Sequence, residues 1–193
     1  TTEIPIVFRH PLDPVALGFV KSMERPGGNV TGVAGLSVQQ AETRLGILKE
    51  IVPSLRQVVI FYDIYNPISR GHFAIAEVAA TNLGLHVVEH PIKNDNELKD
   101  ALNQLDKKEG DALYDVSDVL VQSQADFIFK VARQKKLPTM FGRSAWATRG
   151  SLAGYGPNYF EMGRQAASLV DKILKGATPE NLPIERAKKF DLF

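Results

Sequence analysis

The chain has 193 residues and is 44% hydrophobic, so it can bury a substantial core in one large domain or in two small ones. Its 23 basic and 22 acidic residues are interspersed and give a formal net charge of +1, which argues against nucleic acid or an anionic membrane surface as a partner. The sequence contains no cysteine, which excludes thiol catalysis, disulfide bonds and cysteine-ligated metal.

The first part of the chain predicts one strand and one helix. Residues 4–8 form a short apolar run that is typical of a strand, and the apolar residues between positions 15 and 23 indicate a helix. The glycine-rich segment at residues 27–32 does not follow a strand and open a helix in G-x-G-x-x-G order, so dinucleotide binding is not indicated. It predicts a turn that leads into a further strand.

The middle of the chain alternates short apolar runs with amphipathic stretches, which is the pattern of a parallel α/β sheet. Strands are predicted at residues 58–62, 85–90, 111–116 and 138–142. Several of these runs lack polar alternation, as expected of strands that helices cover on both faces. The pattern predicts one compact α/β domain near residues 35–154.

Four predicted helices lie within this domain, and their ends carry recognisable signals. Pro53 is placed to end the first helix, and Gly84 is placed to end the second. Asn94, with Glu97 three residues later, opens the third. The fourth spans residues 122–136, and its basic end suits the negative end of the helix dipole.

The two ends of the chain are predicted to share one lobe. Residues 159–175 indicate a long helix, and the run KFDLF at residues 189–193 indicates a final strand. Two strands and two helices from opposite ends can hardly form a full sheet alone. We therefore expect residues 1–33 and 157–193 to form part of a first lobe and residues 34–156 to form a second, with a hinge between the lobes.

Several segments together resemble a known family of binding proteins. They are RPGGNVTG at residues 25–32, SLAGYGP at residues 151–157 and DKILKGATPENLPIE at residues 171–185. These segments are similar to the ABC-transporter substrate-binding family that includes tryptophan- and tyrosine-binding transport components, and the similarity runs nearly end to end. The resemblance implies the α/β fold of type I periplasmic binding proteins, with two doubly wound parallel-sheet lobes, hinge crossovers and an incomplete first lobe.

The resemblance also implies a function. It implies an extracytoplasmic, bacterial solute-binding component that holds a small amino-acid-like ligand between its lobes and meets an ABC permease in the membrane. Aromatic amino acids are the best single guess for the ligand. Both ends of this chain look cut relative to the family, so we expect an export signal to have lain upstream.

Ligand contacts are expected in loops that follow the carboxyl ends of strands. In the second lobe this rule selects Asp63, Tyr65, Asn66, Ser69, Ser117, Asp118 and Tyr155. Free N–H groups at the helix start near Asn66 and Ser69 could receive a ligand carboxylate, and a carboxylate at Asp118 could pair with a ligand ammonium. Helix capping explains the same residues equally well.

Two aromatic residues of this set, Tyr65 and Tyr155, could stack on an apolar or aromatic ligand, although such residues are more often core or rim packing. In the first lobe, Arg9 and Asp13 follow the first strand and are expected to face the ligand from the other side. Asp13 could instead stabilise the amino terminus of the helix that begins near Pro14.

The sequence predicts no catalytic residue, no metal site and no cofactor. It lacks a P-loop, an H-E-x-x-H motif and a G-x-S-x-G motif. Two alternatives to a transport receptor remain open. One is a ligand-sensing domain of a membrane signalling protein, and the other is an enzyme on a doubly wound sheet that uses carboxylates such as Asp63 and Asp118.

An incomplete first lobe would expose the edge of its sheet. Exposed strand edges and apolar faces favour pairing with another chain. We therefore expect a homodimer that buries the edge at residues 4–8.

Overall fold

A computed structural model gives the fold of the chain. It describes residues 2–9, 14–15, 17–35, 38–106 and 110–193. Within these ranges no helix is both long enough and apolar enough to cross a membrane.

Strands and helices alternate along most of the described chain. The strands are β1 (Ile6–Arg9), β2 (Val30–Ala34), β3 (Gln57–Asp63), β4 (His86–Ile92), β5 (Ala112–Tyr114), β6 (Thr139–Phe141), β7 (Ala153–Pro157), β8 (Glu185–Arg186) and β9 (Phe190–Leu192). The helices are α1 (Val38–Ile51), α2 (Pro67–Asn82), α3 (Asp95–Gln104), α4 (Val119–Ser123), α5 (Ala125–Lys135) and α6 (Tyr159–Leu174). Short 3₁₀ helices occupy Ser144–Arg149 and Pro179–Asn181.

The chain divides into two compact units. The first comprises Thr1–Ser37 and Pro157–Phe190, and the second comprises Val38–Gly156 and Asp191–Phe193. The chain therefore passes between the units three times, after residues 37, 156 and 190.

The second unit contains a six-stranded sheet in the order β4-β3-β5-β6-β7-β9. All pairs from β4 to β7 are parallel. Gly154 and Phe193 exchange both of their backbone hydrogen bonds, at 2.9 and 3.0 Å, which is the pattern of an antiparallel pair. The parallel strands therefore all end at the same edge of the sheet, which we call its carboxyl edge.

The side chains of β3 show that this sheet is covered on both faces. Val58, Ile60 and Tyr62 belong to a buried cluster with α1 and α2, whereas Val59 and Phe61 belong to a second cluster with α3 and α5. Successive side chains of a strand point to opposite faces, so an unbroken apolar run is buried on both sides. This confirms the doubly wound α/β arrangement that the sequence predicted.

The first unit contains a three-stranded parallel sheet in the order β1-β2-β8. Helix α6 contributes Met162 and Leu169 to a buried cluster with Val33 of β2. A side chain at Gly32 would collide with the backbone oxygen and the ring of Phe8 in β1. The glycine of this segment therefore permits close pairing of two strands.

No helix forms in the described part of residues 15–23, so the prediction of a helix there is wrong. The carbonyl oxygen of Pro14 accepts hydrogen bonds from the N–H groups of Phe19 at 2.9 Å and Val20 at 3.2 Å, and Gly18 has a left-handed φ of +71°. Phe19 is 54% exposed while Val20 is buried. The chain makes turns here because its apolar residues do not share one buried helical face.

Other predicted helices are formed, with changes at their ends. The predicted start of α3 is confirmed, because Asn94 Oδ1 accepts the N–H groups of Asn96 and Glu97, both at 3.0 Å. Gly84 follows α2 with a left-handed φ of +66°, as a helix-ending glycine should. The helix predicted at residues 122–136 consists instead of α4 and α5, which meet at Gln124.

Candidate functional site

Polar residues gather where β3, β5 and β6 end, at the carboxyl edge of the sheet in the second unit. Asp63 is the last residue of β3, Asp115 follows β5, and Gly142 follows β6. Loops and helix amino termini converge on ligands at this edge in open parallel sheets. We call the following residues the carboxyl-edge site: Arg44, Asp63, Tyr65, Asn66, Asp115, Ser117, Asp118, Gln122, Gly142 and Arg143.

The loop after β3 turns directly into α2. Asp63 Oδ1 accepts the N–H of Tyr65 at 2.8 Å, and Asn66 Oδ1 caps the helix by accepting the N–H of Ile68 at 3.0 Å. Tyr65 is 69% exposed, so its ring is accessible at the tip of the turn. Ser69, in the first turn of α2, is only 2% exposed and lies beneath this surface.

Asp118 joins the loop after β5 to the end of β3. Its side chain is fully buried. Asp118 Oδ1 accepts the N–H of Val121 at 2.9 Å and so caps α4, while Oδ2 accepts the N–H of Asp63 at 2.8 Å. Backbone donors therefore engage both carboxylate oxygens, which is a capping and cross-linking arrangement.

Asp115 is a second buried acid whose hydrogen bonds connect several loops of this edge. Its Oδ1 accepts the N–H of Ser117 at 2.9 Å, and its Oδ2 accepts Gln122 Nε2 at 2.8 Å and the N–H of Gly142 at 3.2 Å. Burial raises the pKa of this carboxyl above its ordinary value, against the lowering effects of Gln122, Arg44 and the two backbone donors. The buried environment therefore disfavours the ionised form of Asp115 more than water does.

Ser117 adopts a strained backbone conformation at the same edge. Its φ of 63° lies in the left-handed region, which costs a non-glycine residue about 1–2 kcal/mol. A side chain at Gly142 would collide with Ser117 Oγ, and its Cβ would lie 2.8 Å from Arg44 Nη1. The glycine thus lets two polar side chains approach the end of β6, and strain of this kind concentrates at binding sites.

Arg44 reaches the carboxyl edge from α1. It is 3% exposed, its guanidinium lies 4.8 Å from the centre of the Tyr114 ring, and its Nη1 donates to the carbonyl oxygen of Asp115 at 3.2 Å. Its Nε is buried and has no hydrogen-bond partner within the described part of the chain. Buried donors are normally paired, so this N–H is an unused donor next to the acid.

Gln122 and Arg143 extend these contacts to the loop after β6. Gln122 Nε2 donates to Asp115, and its Oε1 accepts Arg143 Nη2 at 3.4 Å. The guanidinium of Arg143 also lies 5.1 Å from the centre of the Trp146 ring. Trp146 is buried in the core cluster with α3 and α5, so it supports the loop from below.

Two further sequence-predicted site residues, Tyr155 and Arg9, are contributed by strands β7 and β1 and not by these loops. Tyr155 lies in β7 and packs against the cluster with α1 and α2, and burial raises its pKa. Arg9 ends β1 in the first unit, where its guanidinium lies 4.6 Å from the centre of the Tyr159 ring. Asp13 lies outside the described residues.

Four residues of the carboxyl-edge site were not predicted from the sequence: Arg44, Asp115, Gln122 and Arg143. The predicted strand at residues 111–116 contained Asp115, whereas β5 ends at Tyr114, so the strand-end rule selected Ser117 and passed over Asp115. Arg44 lies three residues after Ala41, at helical spacing from the buried stripe of α1. Only Arg44 therefore carried a signal, its helical spacing, and neither spacing nor composition reveals that both side chains are buried.

The described residues do not offer a metal centre, because no group of three or more histidine, aspartate or glutamate side chains among them could hold an ion. The acids of the carboxyl edge instead accept hydrogen bonds from backbone and amide donors. What this arrangement can do chemically is hold polar and charged groups of a small molecule.

Comparison with known proteins identifies the family. Residues 1–193 match the family described as ABC transporter substrate binding protein. The chain belongs to this family. A tyrosine-binding protein from Clostridioides difficile (strain R20291) is 30% identical to it over 185 residues, which are 95% of this chain and 52% of that protein.

Solved structures agree with the family and confirm the fold. A conserved domain protein from Vibrio cholerae O1 biovar El Tor superimposes with a TM-score of 0.89 at 31% identity, covering 100% of this chain and 64% of that one. An ABC domain in complex with L-Trp from Streptococcus pneumonia superimposes with a TM-score of 0.88 at 22% identity and the same coverage. The fold is that of type I periplasmic binding proteins. The chain spans about two thirds of the length of these two solved chains.

Proposed function

We propose that this chain is the ligand-binding part of an extracytoplasmic solute-binding protein of an ABC transporter, and that its ligand is an aromatic amino acid. Family membership over the whole chain, with a tyrosine-binding relative at 30% identity, is the observation that carries the proposal. The relatives are substrate-binding proteins, so we propose a non-catalytic role.

The chemistry of the carboxyl-edge site supports an amino acid as ligand. An amino acid presents an ammonium, a carboxylate and a side chain. The exposed ring of Tyr65 offers a stacking surface, and the half-buried Asp63 and Arg143 offer groups of opposite charge. The capped start of α2 adds a positive helix end beside them.

We further propose that the two compact units belong to the two lobes of the receptor, with Thr1–Ser37 and Pro157–Phe190 in the first lobe and Val38–Gly156 and Asp191–Phe193 in the second. Ligand binding would then favour one of the two states of a pair of hinged lobes, and an ABC permease would recognise that state. No covalent chemistry is needed for this role.

A thermal-shift titration against the twenty L-amino acids tests the proposal. A ligand that binds only the folded state raises the melting temperature in a concentration-dependent way. We expect L-tyrosine or L-tryptophan to raise it and L-alanine and L-glutamate to leave it unchanged. A shift with none of the aromatic amino acids, measured on a chain extended to the length of its relatives, would remove the proposed ligand class.

We also propose a homodimer through the edge of the first unit. Strand β1 pairs only with β2 in the described sheet, and Ile4 and Ile6 beside this edge are 66% and 40% exposed. Unpaired strand edges favour addition of a further strand. Light scattering should show a dimer that Ile6→Lys dissociates, whereas a monomer at high protein concentration contradicts this proposal.

A further inference from the structure

A cavity of about 330 Å³ lies at the amino end of β6, the opposite end of that strand from the carboxyl-edge site. Its size falls within the range of small-molecule sites, roughly 300–1,000 Å³. The cavity lies wholly within the second unit, between the end of α5 and the segment that leads into β7.

The walls of this cavity are mainly apolar. They include Phe129, Ala132, Leu137, Pro138 and Leu152. The hydroxyl of Thr139, which also lines the cavity, accepts the N–H of Leu152 at 2.9 Å and lies 3.1 Å from the Ser151 hydroxyl. Because these polar atoms already have partners, the interior favours an apolar group.

Two cationic side chains line the same cavity from the end of α5, Arg133 and Lys136. The neighbouring cations already have partners, because Arg149 pairs with Asp126 at 2.9 Å and Lys135 donates to two backbone carbonyls at the carboxyl end of α3. Within the described ranges, neither Arg133 nor Lys136 forms an ion pair or a side-chain hydrogen bond. The cavity therefore combines an apolar interior with uncommitted positive charge.

The backbone at Lys136 supplies a second, independent observation. Its φ of 55° and ψ of 41° are left-handed, and the N–H of Leu137 bonds to the carbonyl of Ala132 at 2.8 Å, which is a Schellman ending. Glycine is the usual residue at such a position because a Cβ is unfavourable there. Lys136 therefore keeps a strain that glycine would avoid while its side chain lines the cavity, which motivates a functional role for this lysine.

We propose that this cavity binds a small amphipathic carboxylate, with its apolar body in the interior and its carboxylate between Arg133 and Lys136. The partial negative charge at the carboxyl end of α5 would by itself explain cations in the last turn of the helix. It does not explain why a lysine occupies the strained position 136. The proposal does not depend on the amino-acid site at the carboxyl edge.

Octanoate is a suitable probe, with octanamide as its neutral counterpart. The single tryptophan of the chain, Trp146, provides a local signal, because its ring lies 6.3 Å from that of the cavity residue Phe129. We expect octanoate to change the fluorescence of Trp146 saturably and octanamide to bind more weakly. Equal binding of the two compounds, or no saturable binding of octanoate, would overturn the proposal.

Two substitutions and a matched control test the charges. Arg133→Gln and Lys136→Gly should each weaken octanoate binding by up to about fivefold, since both cations are exposed at the rim. Lys136→Gly relieves backbone strain, so a loss of affinity at an unchanged or higher melting temperature cannot come from unfolding. Lys130→Gln removes an exposed charge from α5 away from the cavity and should have no effect.

Competition separates this proposal from the proposed function. Excess L-tyrosine should leave octanoate binding unchanged, because the two sites lie at opposite ends of β6. Displacement of octanoate by L-tyrosine, or wild-type affinity in both Arg133→Gln and Lys136→Gly, would assign octanoate to another site and overturn the proposal.

Discussion

Asp63 donates its backbone N–H to the carboxylate of Asp118, 55 residues away in the chain, at a distance of 2.8 Å. This bond ties the end of β3 to the start of α4, and Asp118 is fully buried. The same carboxylate caps α4 through the N–H of Val121. Asp118 therefore holds two loops of the carboxyl-edge site in place.

Replacement of Asp118 by alanine should destabilise the fold. Two backbone donors, the half-buried N–H of Asp63 and the buried N–H of Val121, would lose their acceptor, so we expect the free energy of unfolding to fall by about 2–4 kcal/mol. Urea denaturation measures this change. Asp126→Ala, which removes an exposed acid in a surface ion pair, is the control and should cost less than about 1 kcal/mol. Wild-type stability in Asp118→Ala would show that the carboxylate does not hold the loops.

The stability of the protein should depend on the protonation of Asp115. Burial raises the pKa of this carboxyl in the folded state, so the native protein binds the proton more tightly than the unfolded chain. Its contribution to stability is present below the unfolded pKa, about 3.9, and is lost as the pH rises through the folded pKa. Asparagine at this position does not titrate.

Urea denaturation of the wild type and of Asp115→Asn between pH 4 and pH 8 tests the predicted direction of the pH dependence. All other groups titrate equally in both proteins and cancel in the difference. The stability of Asp115→Asn relative to the wild type should improve as the pH rises. A constant difference, or one that moves in the opposite direction, would mean that the pKa of Asp115 is not raised.

Gly142 should not tolerate a side chain. A Cβ would collide with Ser117 Oγ and crowd Arg44, so Gly142→Ala should lower the free energy of unfolding by about 1–3 kcal/mol. The double variant Gly142→Ala, Ser117→Gly removes one of the two clashes, so Ser117→Gly should stabilise Gly142→Ala more than it stabilises the wild type, where it only relieves the left-handed strain at position 117. Gly163→Ala is the control, because open space surrounds that position in α6 and alanine is the better helix former.

Calorimetric melting of these variants distinguishes steric crowding from a general intolerance of the loop. If Ser117→Gly does not stabilise Gly142→Ala more than it stabilises the wild type, the clash with Ser117 is not the cause of the loss.

Tyr65 should contribute to ligand binding and little to stability. Its ring is 69% exposed, so Tyr65→Ala should leave the melting temperature of the free protein nearly unchanged. If the ring stacks on an aromatic amino acid, its removal should weaken binding about three- to tenfold. Isothermal calorimetry with L-tyrosine measures the change.

Phe160→Ala is a matched control for this variant, because Phe160 is an equally accessible aromatic residue in α6 of the first unit. Its affinity for L-tyrosine should equal that of the wild type. Unchanged affinity in Tyr65→Ala would remove Tyr65 from the site.

Local signals predicted the elements that depend on local contacts. The amino terminus of α3 is set by Asn94 and two N–H groups within three residues of it, so the sequence alone located it. The apolar run of β3 likewise predicted a strand covered on both faces. The helix expected between residues 15 and 23 failed because periodicity does not reveal which apolar residues find a buried partner, and Phe19 does not.

The candidate site was predicted only in outline. The rule that ligands collect at strand ends selected Asp63 and Ser117, both of which lie at the carboxyl edge. The contact between Arg44 and Asp115 joins residues 71 positions apart, and each is buried by elements from other parts of the chain. Such a contact depends on how the helices dock on the sheet, and no local spacing encodes it.

The chain passes between its compact units three times, and this affects the order in which the units are completed during synthesis and their response to proteolysis. Residues 38–156 form one continuous segment, so the ribosome completes nearly all of the second sheet while the first unit still lacks α6 and β8. Only β9 must be added to the second unit afterwards. A protease that cuts the chain once, at any one of the passages, leaves the units joined by the remaining two.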